Sequence, residues 1–151
     1  MNTESLVERE IMSIESKAND IINKFSQFDK WEDRYREIIN IGKIAPNLTD
    51  DEKQEKFLVK GCQSQVWLLP HFENGKIFFT ADSDSFLVKG IIIILVQVYS
   101  NSTLDEVLNY KDDFLSKIGI SEHLSMNRTN GLASMLKQIK LYALAYKATQ
   151  K

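Results

Sequence analysis

Between Leu6 and Phe25 the apolar positions fall at helical spacing. Leu6, Ile11, Ile14, Ala18, Ile21, Ile22 and Phe25 share one face, with charged and amide side chains between them. The pattern predicts an amphipathic N-terminal helix within residues 1–28. A second helix is predicted in DKWEDRYREIINIGK, where Trp31, Tyr35, Ile38 and Ile39 form one face. Asp29 and Glu32 have capping-box spacing at its start, and Pro46 closes it. TDDEKQEKFLVK opens on a further cap, Thr49 with Glu52, and predicts only a turn or two of helix.

The period then changes. QSQVWLLPHFENGKIFFTAD carries two strand-like runs, Gln65–Leu69 and Lys76–Ala81, around Asn74-Gly75, the dipeptide that best suits a two-residue hairpin turn. Pro70 has no N–H for a ladder, which places it on an edge or at a frayed end. In DSDSFLVKGIIIILVQVYS the β-branched residues allow a strand, but the polar caps and the length of the apolar run favour a buried helix. TLDEVLNYKDDFLSKIG reads as helix, capped by Thr103 with Glu106 and stopped near Gly119. The last helix, from about Thr129 to Lys147, aligns Leu132, Met135, Leu136, Ile139, Tyr142, Ala143 and Tyr146. Helix, helix, β-hairpin and further helices make an α+β chain: a small antiparallel sheet packed by helices. With 151 residues and no repeat or linker, one domain over residues 1–151 is expected.

Composition narrows the function. Charges of both signs nearly balance, giving a formal net charge of −2 and no global attraction to nucleic acid or an anionic membrane. The single cysteine excludes an internal disulfide, and any cluster or zinc site built from several thiolates of this chain. MNTESLVEREIM is acidic and polar, unlike a secretory or transit signal. The most apolar run is interrupted by Lys89, Gly90 and Gln97 and is short for a bilayer, so a cytoplasmic location is expected.

The lone cysteine, Cys62, stands at the polar edge of a strand rather than inside it. Free cysteine is commonly a small buried hydrophobe. Its neighbours argue otherwise: Gly61 permits a tight backbone beside the thiol, while Gln63, Ser64 and Gln65 offer donors to a sulfur anion. Lys60 adds positive charge, and together these features favour the nucleophilic thiolate. A protease-like nucleophile would also need an oriented base, and His71 and His123 are the only histidines. Neither has a recognised metal-ligand spacing with Cys62, so no metal site is expected. Asp82 and Asp84 could hold a cation from an extended segment, but an N-cap and first-turn role for the following helix is the stronger expectation. EHLSMNRTNGL, with His123, Arg128 and Asn130, is either an ordinary capped loop or a partner contact.

Taken together, VKGCQSQVW (59–67), ADSD (81–84), VKG (88–90) and HLS…R.NGL (123–132) resemble the SufE family of sulfur acceptors. These blocks occur in family order, with Trp31, Tyr35, Gly42 and Lys43 upstream. Two features depart from the family pattern: Met126 stands where proline is usual, and the N-terminal helix is longer than usual. The resemblance implies a fold shared with IscU-type scaffolds, with a sheet that is usually three-stranded. It also implies that Cys62 accepts persulfide sulfur from a pyridoxal phosphate-containing cysteine desulfurase and passes it to an iron–sulfur scaffold. No cofactor of its own is implied. Gly61, Gln63, Ser64 and Gln65 would support the thiol loop, and Asp84, His123 and Arg128 would meet the partner. Two alternatives remain open: a docking module that stimulates a desulfurase without carrying sulfur, and a stand-alone thiol enzyme.

Overall fold

A computed structural model describes residues 13–111, 113–119 and 126–150, with side chains in the last stretch from residue 131 onward. The first helix, α1 (Ile14–Ser26), is capped by Ser13, whose hydroxyl accepts from Ser16 N–H. Leu6 and Ile11 of the predicted helix lie outside the described residues. Helix α2 (Trp31–Ile44) follows. The capping box expected from Asp29 is not formed: Lys30 is the N-cap and makes no side-chain bond there. Arg34 instead turns back from the first turn, donating to Phe28 O and to Ile118 O, so it clamps the entry to the helix from another element. The Thr49–Glu52 pair does form reciprocal cap bonds, ahead of a single 3-10 turn at Glu55–Phe57.

Strands β1 (Val66–Glu73) and β2 (Lys76–Ser83) pair antiparallel, with Val66 opposite Ser83 and Glu73 opposite Lys76. They are longer than the alternating runs alone indicate. Asn74 and Gly75 have φ of 53° and 77°, the two positive values that a type I′ turn requires. Pro70 sits in β1, an outer strand of the sheet, where its missing N–H costs no central ladder bond. The third strand, β3 (Ser102–Thr103), pairs Ile77 with Ser102 and completes the order β1-β2-β3.

Helix α3 (Phe86–Tyr99) covers this sheet, and ten of its fourteen residues are buried. Ser85, not an aspartate, caps it by accepting from Val88 N–H, and its first turn holds no acid. Helices α2 and α3 meet backbone to backbone. A methyl group on Gly42 would collide with Phe86 O, and one on Gly90 with Ile38 O. The segment after β3 is two helices rather than one: α4 (Leu104–Asn109), with a complete Thr103–Glu106 capping box, and α5 (Phe114–Lys117). Continuing α4 would bring Lys111 onto the inward face one turn after Val107. The chain extends at Tyr110 instead, whose ring meets buried Tyr99 edge-on at 5.9 Å. Lys140 donates to Val107 O and Tyr110 O, satisfying carbonyls at that break. The last helix, α6 (Met126–Thr149), packs Leu132, Met135, Ile139 and Ala143 into the core, and Tyr142 OH donates to Leu68 O of β1.

Candidate functional site

The thiol loop is made by local pairing. Val59 N–H donates to Val66 O at 2.8 Å and Leu58 bridges Trp67, so residues 60–65 are closed off as a loop leading into β1. Gly61 takes φ of +93°, and a Cβ there would lie 2.6 Å from Ser134 Oγ of α6. Both facts call for glycine. Cys62 is half-buried and its S–H donates to Gly131 O of α6 at 3.6 Å. Gly131 faces it closely: a Cβ there would stand 3.3 Å from the sulfur, tight enough that the thiol would have to shift by a few tenths of an ångström. Two glycines, one on each side, therefore let loop and helix meet.

The far end of the loop is tied to β2. Gln65 N–H donates to Asp84 Oδ1 at 3.1 Å, and Asp84 N–H donates to Gln65 O at 3.3 Å. The expectation that Asp82 and Asp84 cap the following helix is thus corrected. Ser85 holds the cap, which leaves Asp84 to latch the loop. Asp82 turns inward to an ion pair with Lys89 at 3.2 Å. Leu48 N–H and Ser83 N–H also bind Asp82, and Lys53 approaches it at 3.4 Å while lying over the Trp67 ring. Lys89 in turn donates to Asn47 Oδ1 at 2.6 Å and Ala45 O at 3.0 Å. Burial pushes the Asp82 carboxyl up, but its N–H donors and Lys89 outweigh that and hold it below the usual value.

Beside the sulfur lies a cavity of about 60 Å³, lined by Cys62, Gln63, Ser64, Val88, Ile91, Gly131, Leu132 and Met135. That is several times the roughly 10–15 Å³ one water needs. Val88, Ile91, Leu132 and Met135 give it an apolar side and Gln63 and Ser64 a polar one, and burial pushes the Cys62 thiol above its ordinary value. The resting group is therefore a thiol at neutral pH, contrary to the thiolate expected from Lys60 and the polar neighbours. The reason is placement: Lys60 is exposed and lines a separate groove, while the sulfur faces hydrocarbon and a carbonyl. Gln63 and Ser64 border the cavity, and the Gln65 backbone serves the latch.

The other candidates are not all gathered here. His71 sits on outer strand β1, 3.2 Å from Glu73 and against the Phe78 ring, away from the residues that line the cavity. His123 lies outside the described residues, and Arg128 is placed only as backbone in the first turn of α6. No group of three metal-ligating side chains occurs among the described residues. Sequence reasoning missed Ser134 and Asn47, and held Gly131 only as part of the HLS…R.NGL block, with no role given to it. Lys89, a charge inside an apolar run, was the visible sign that a buried acid had to lie near.

A thiol loop of this build is joined by a sequence match: residues 19–143 fit the family described as SufE: Fe-S metabolism associated domain. The chain belongs to the SufE family. An uncharacterized SufE-like protein of Rhizobium etli is 40% identical over 130 residues, covering 83% of this chain and 88% of the relative. An uncharacterized SufE-like protein of Rhizobium meliloti is 38% identical over 130 residues, covering 83% and 93%. The fold is similar to the solution structure of a hypothetical protein from Thermus thermophilus. That similarity has a TM-score of 0.70 at 19% identity and covers 89% of this SufE chain and 97% of the other. Among the described residues no helix is long and apolar enough to cross a membrane.

Proposed function

We infer that this SufE protein acts in the cytoplasm as a sulfur acceptor and shuttle: Cys62 takes persulfide sulfur from a cysteine desulfurase, stimulating it, and hands the sulfur to an iron–sulfur scaffold. One observation carries the reading. The only cysteine of the chain sits in a loop of its own, fastened at both ends, with its sulfur beside a small cavity.

The transfer is an exchange at sulfur. Cys62, once deprotonated, attacks the terminal sulfur of the desulfurase persulfide. The donor's S–S bond breaks, the donor cysteine leaves as thiolate, and a new S–S bond forms on Cys62 with no net oxidation. The reverse logic delivers the sulfur to a thiol of the acceptor. Carbon–sulfur cleavage is the work of the desulfurase's pyridoxal phosphate, and one SufE-like domain over residues 1–151 is sufficient for the shuttle. Attack proceeds from the thiolate, and docking that draws the half-buried sulfur away from Gly131 O would favour that form. His123 and Arg128, both in the last of the family blocks, are assigned with Asp84 to the partner contact.

The half-buried sulfur, held to Gly131 O, also suits a second reading, a docking module that stimulates the desulfurase while Cys62 stays silent. Turnover of free cysteine by the desulfurase separates the two. Wild-type protein accelerates it under either reading; Cys62→Ser abolishes the acceleration only if sulfur is accepted. Full stimulation by Cys62→Ser would select the docking module. A stand-alone thiol enzyme would need a base at the sulfur, and no histidine lines the cavity among the described residues.

A further inference from the structure

On the other flank of the thiol loop a groove of about 650 Å³ runs between the 3-10 segment and α6. Lys56 and Lys60 stand on one wall and Lys137 on the other, with Leu58 and Leu141 between them and Glu55 as the one acid. All three lysines are exposed, and none has an acidic partner among the described residues. Leu141 is 45% exposed, and Leu144, one turn further along α6, is 54% exposed. A chain of net charge −2 thus gathers three lysines that have no acidic partner among the described residues, Lys56 lying over the Phe57 ring at 5.0 Å, beside exposed apolar surface.

The groove is also mechanically joined to the thiol. Ser134, which lines it, is the residue against which Gly61 packs, and Lys60 is two positions from Cys62. We propose that the groove seats an acidic, partly apolar segment of the cysteine desulfurase, engaging the flank of the loop while the persulfide reaches Cys62. This rests on the sulfur-acceptor reading for the identity of the occupant. Charge complementarity sets the segment's sign, and Leu58 and Leu141 set its apolar part, with exposed Leu144 beyond the groove on the same helix. A nucleic acid is disfavoured because no aromatic ring lines the groove for base stacking and the chain's net charge is negative.

The test compares wild type with Lys56→Glu/Lys137→Glu, using calorimetric titration with the desulfurase at low and at high salt. Both positions are exposed, and unchanged thermal melting of the variant is the control for folding. A neutral Lys56→Gln/Lys137→Gln variant completes the series. The proposal predicts roughly tenfold or greater weakening by charge reversal at low salt, an intermediate neutral variant, and a smaller gap at high salt. Equal affinity of all three overturns it. So does charge-dependent self-association with desulfurase affinity unchanged, which would assign the groove to a second copy of this chain. Sulfur gain by Cys62 at saturating desulfurase is read in parallel. Equal binding with sulfur gained removes the groove and leaves the acceptor reading; weakened binding without sulfur gained by wild type does the reverse.

Discussion

Asp82 and Asp84 are the same residue type two positions apart, yet they do opposite work. Asp82 is almost wholly buried and held by two backbone N–H groups, Lys89 and Lys53, so it fastens β2 to α3 and to the segment after α2. Asp84 is exposed and makes one reciprocal pair of bonds with the Gln65 backbone. The turn of the chain from β2 into α3 puts one carboxylate into the core and the other beside solvent. A buried pair resists change because removing one partner strands the other charge; a surface pair in water opens at little cost. The first makes a foundation, and the second makes a latch suited to a loop that must move.

Asp82→Asn strikes this contrast hardest, because it leaves Lys89 buried without its countercharge. It should cost about 3–5 kcal/mol of stability, read by denaturant unfolding. A loss comparable to that of a surface substitution would show that the network is not a foundation. The same carboxylate gives a pH signature. Its folded value lies below the unfolded one, so its contribution is complete above about pH 4 and disappears as pH falls through the folded value. Stability measured across that acidic range should therefore fall more steeply for wild type than for Asp82→Asn.

Gly61→Ala comes next in size. It places a Cβ against Ser134 and in a backbone region that side chains avoid, at a cost of about 1–2 kcal/mol. Because the strain lies in the loop, alkylation of Cys62 by iodoacetamide should also quicken several-fold; an unchanged rate would deny that Gly61 seats the thiol. The smallest effect on global stability is expected of Asp84→Ala, within about 1 kcal/mol, since the site is exposed. Its effect should appear instead as faster alkylation of Cys62, and a large loss of stability without faster labelling would erase the distinction between latch and foundation.

How much of this could be read from the chain follows the same division. The hairpin at Asn74-Gly75, the buried helix over the isoleucine run and the Thr103 cap were legible because each depends on local propensity and period. Asp29 as a cap and an unbroken helix from Thr103 to Gly119 were not realised, because Arg34 and Tyr110 answer to residues distant in sequence. At the site, the G-C-Q-S-Q-V-W block marked the thiol and Gly61. The raised thiol value was hidden, since it arises from burial that only the folded chain creates, while the lysine that promised a thiolate lines another groove. The separate fates of Asp82 and Asp84 were likewise set by Lys89 and Gln65, which only the fold brings to them.

Whether Cys62 carries sulfur is decided most directly by intact-protein mass spectrometry under non-reducing conditions, after incubation with a cysteine desulfurase and free cysteine. A sulfur carrier gains one or more sulfur atoms that map to Cys62 and are absent from Cys62→Ser. No gain in the presence of a desulfurase that demonstrably binds would contradict that role.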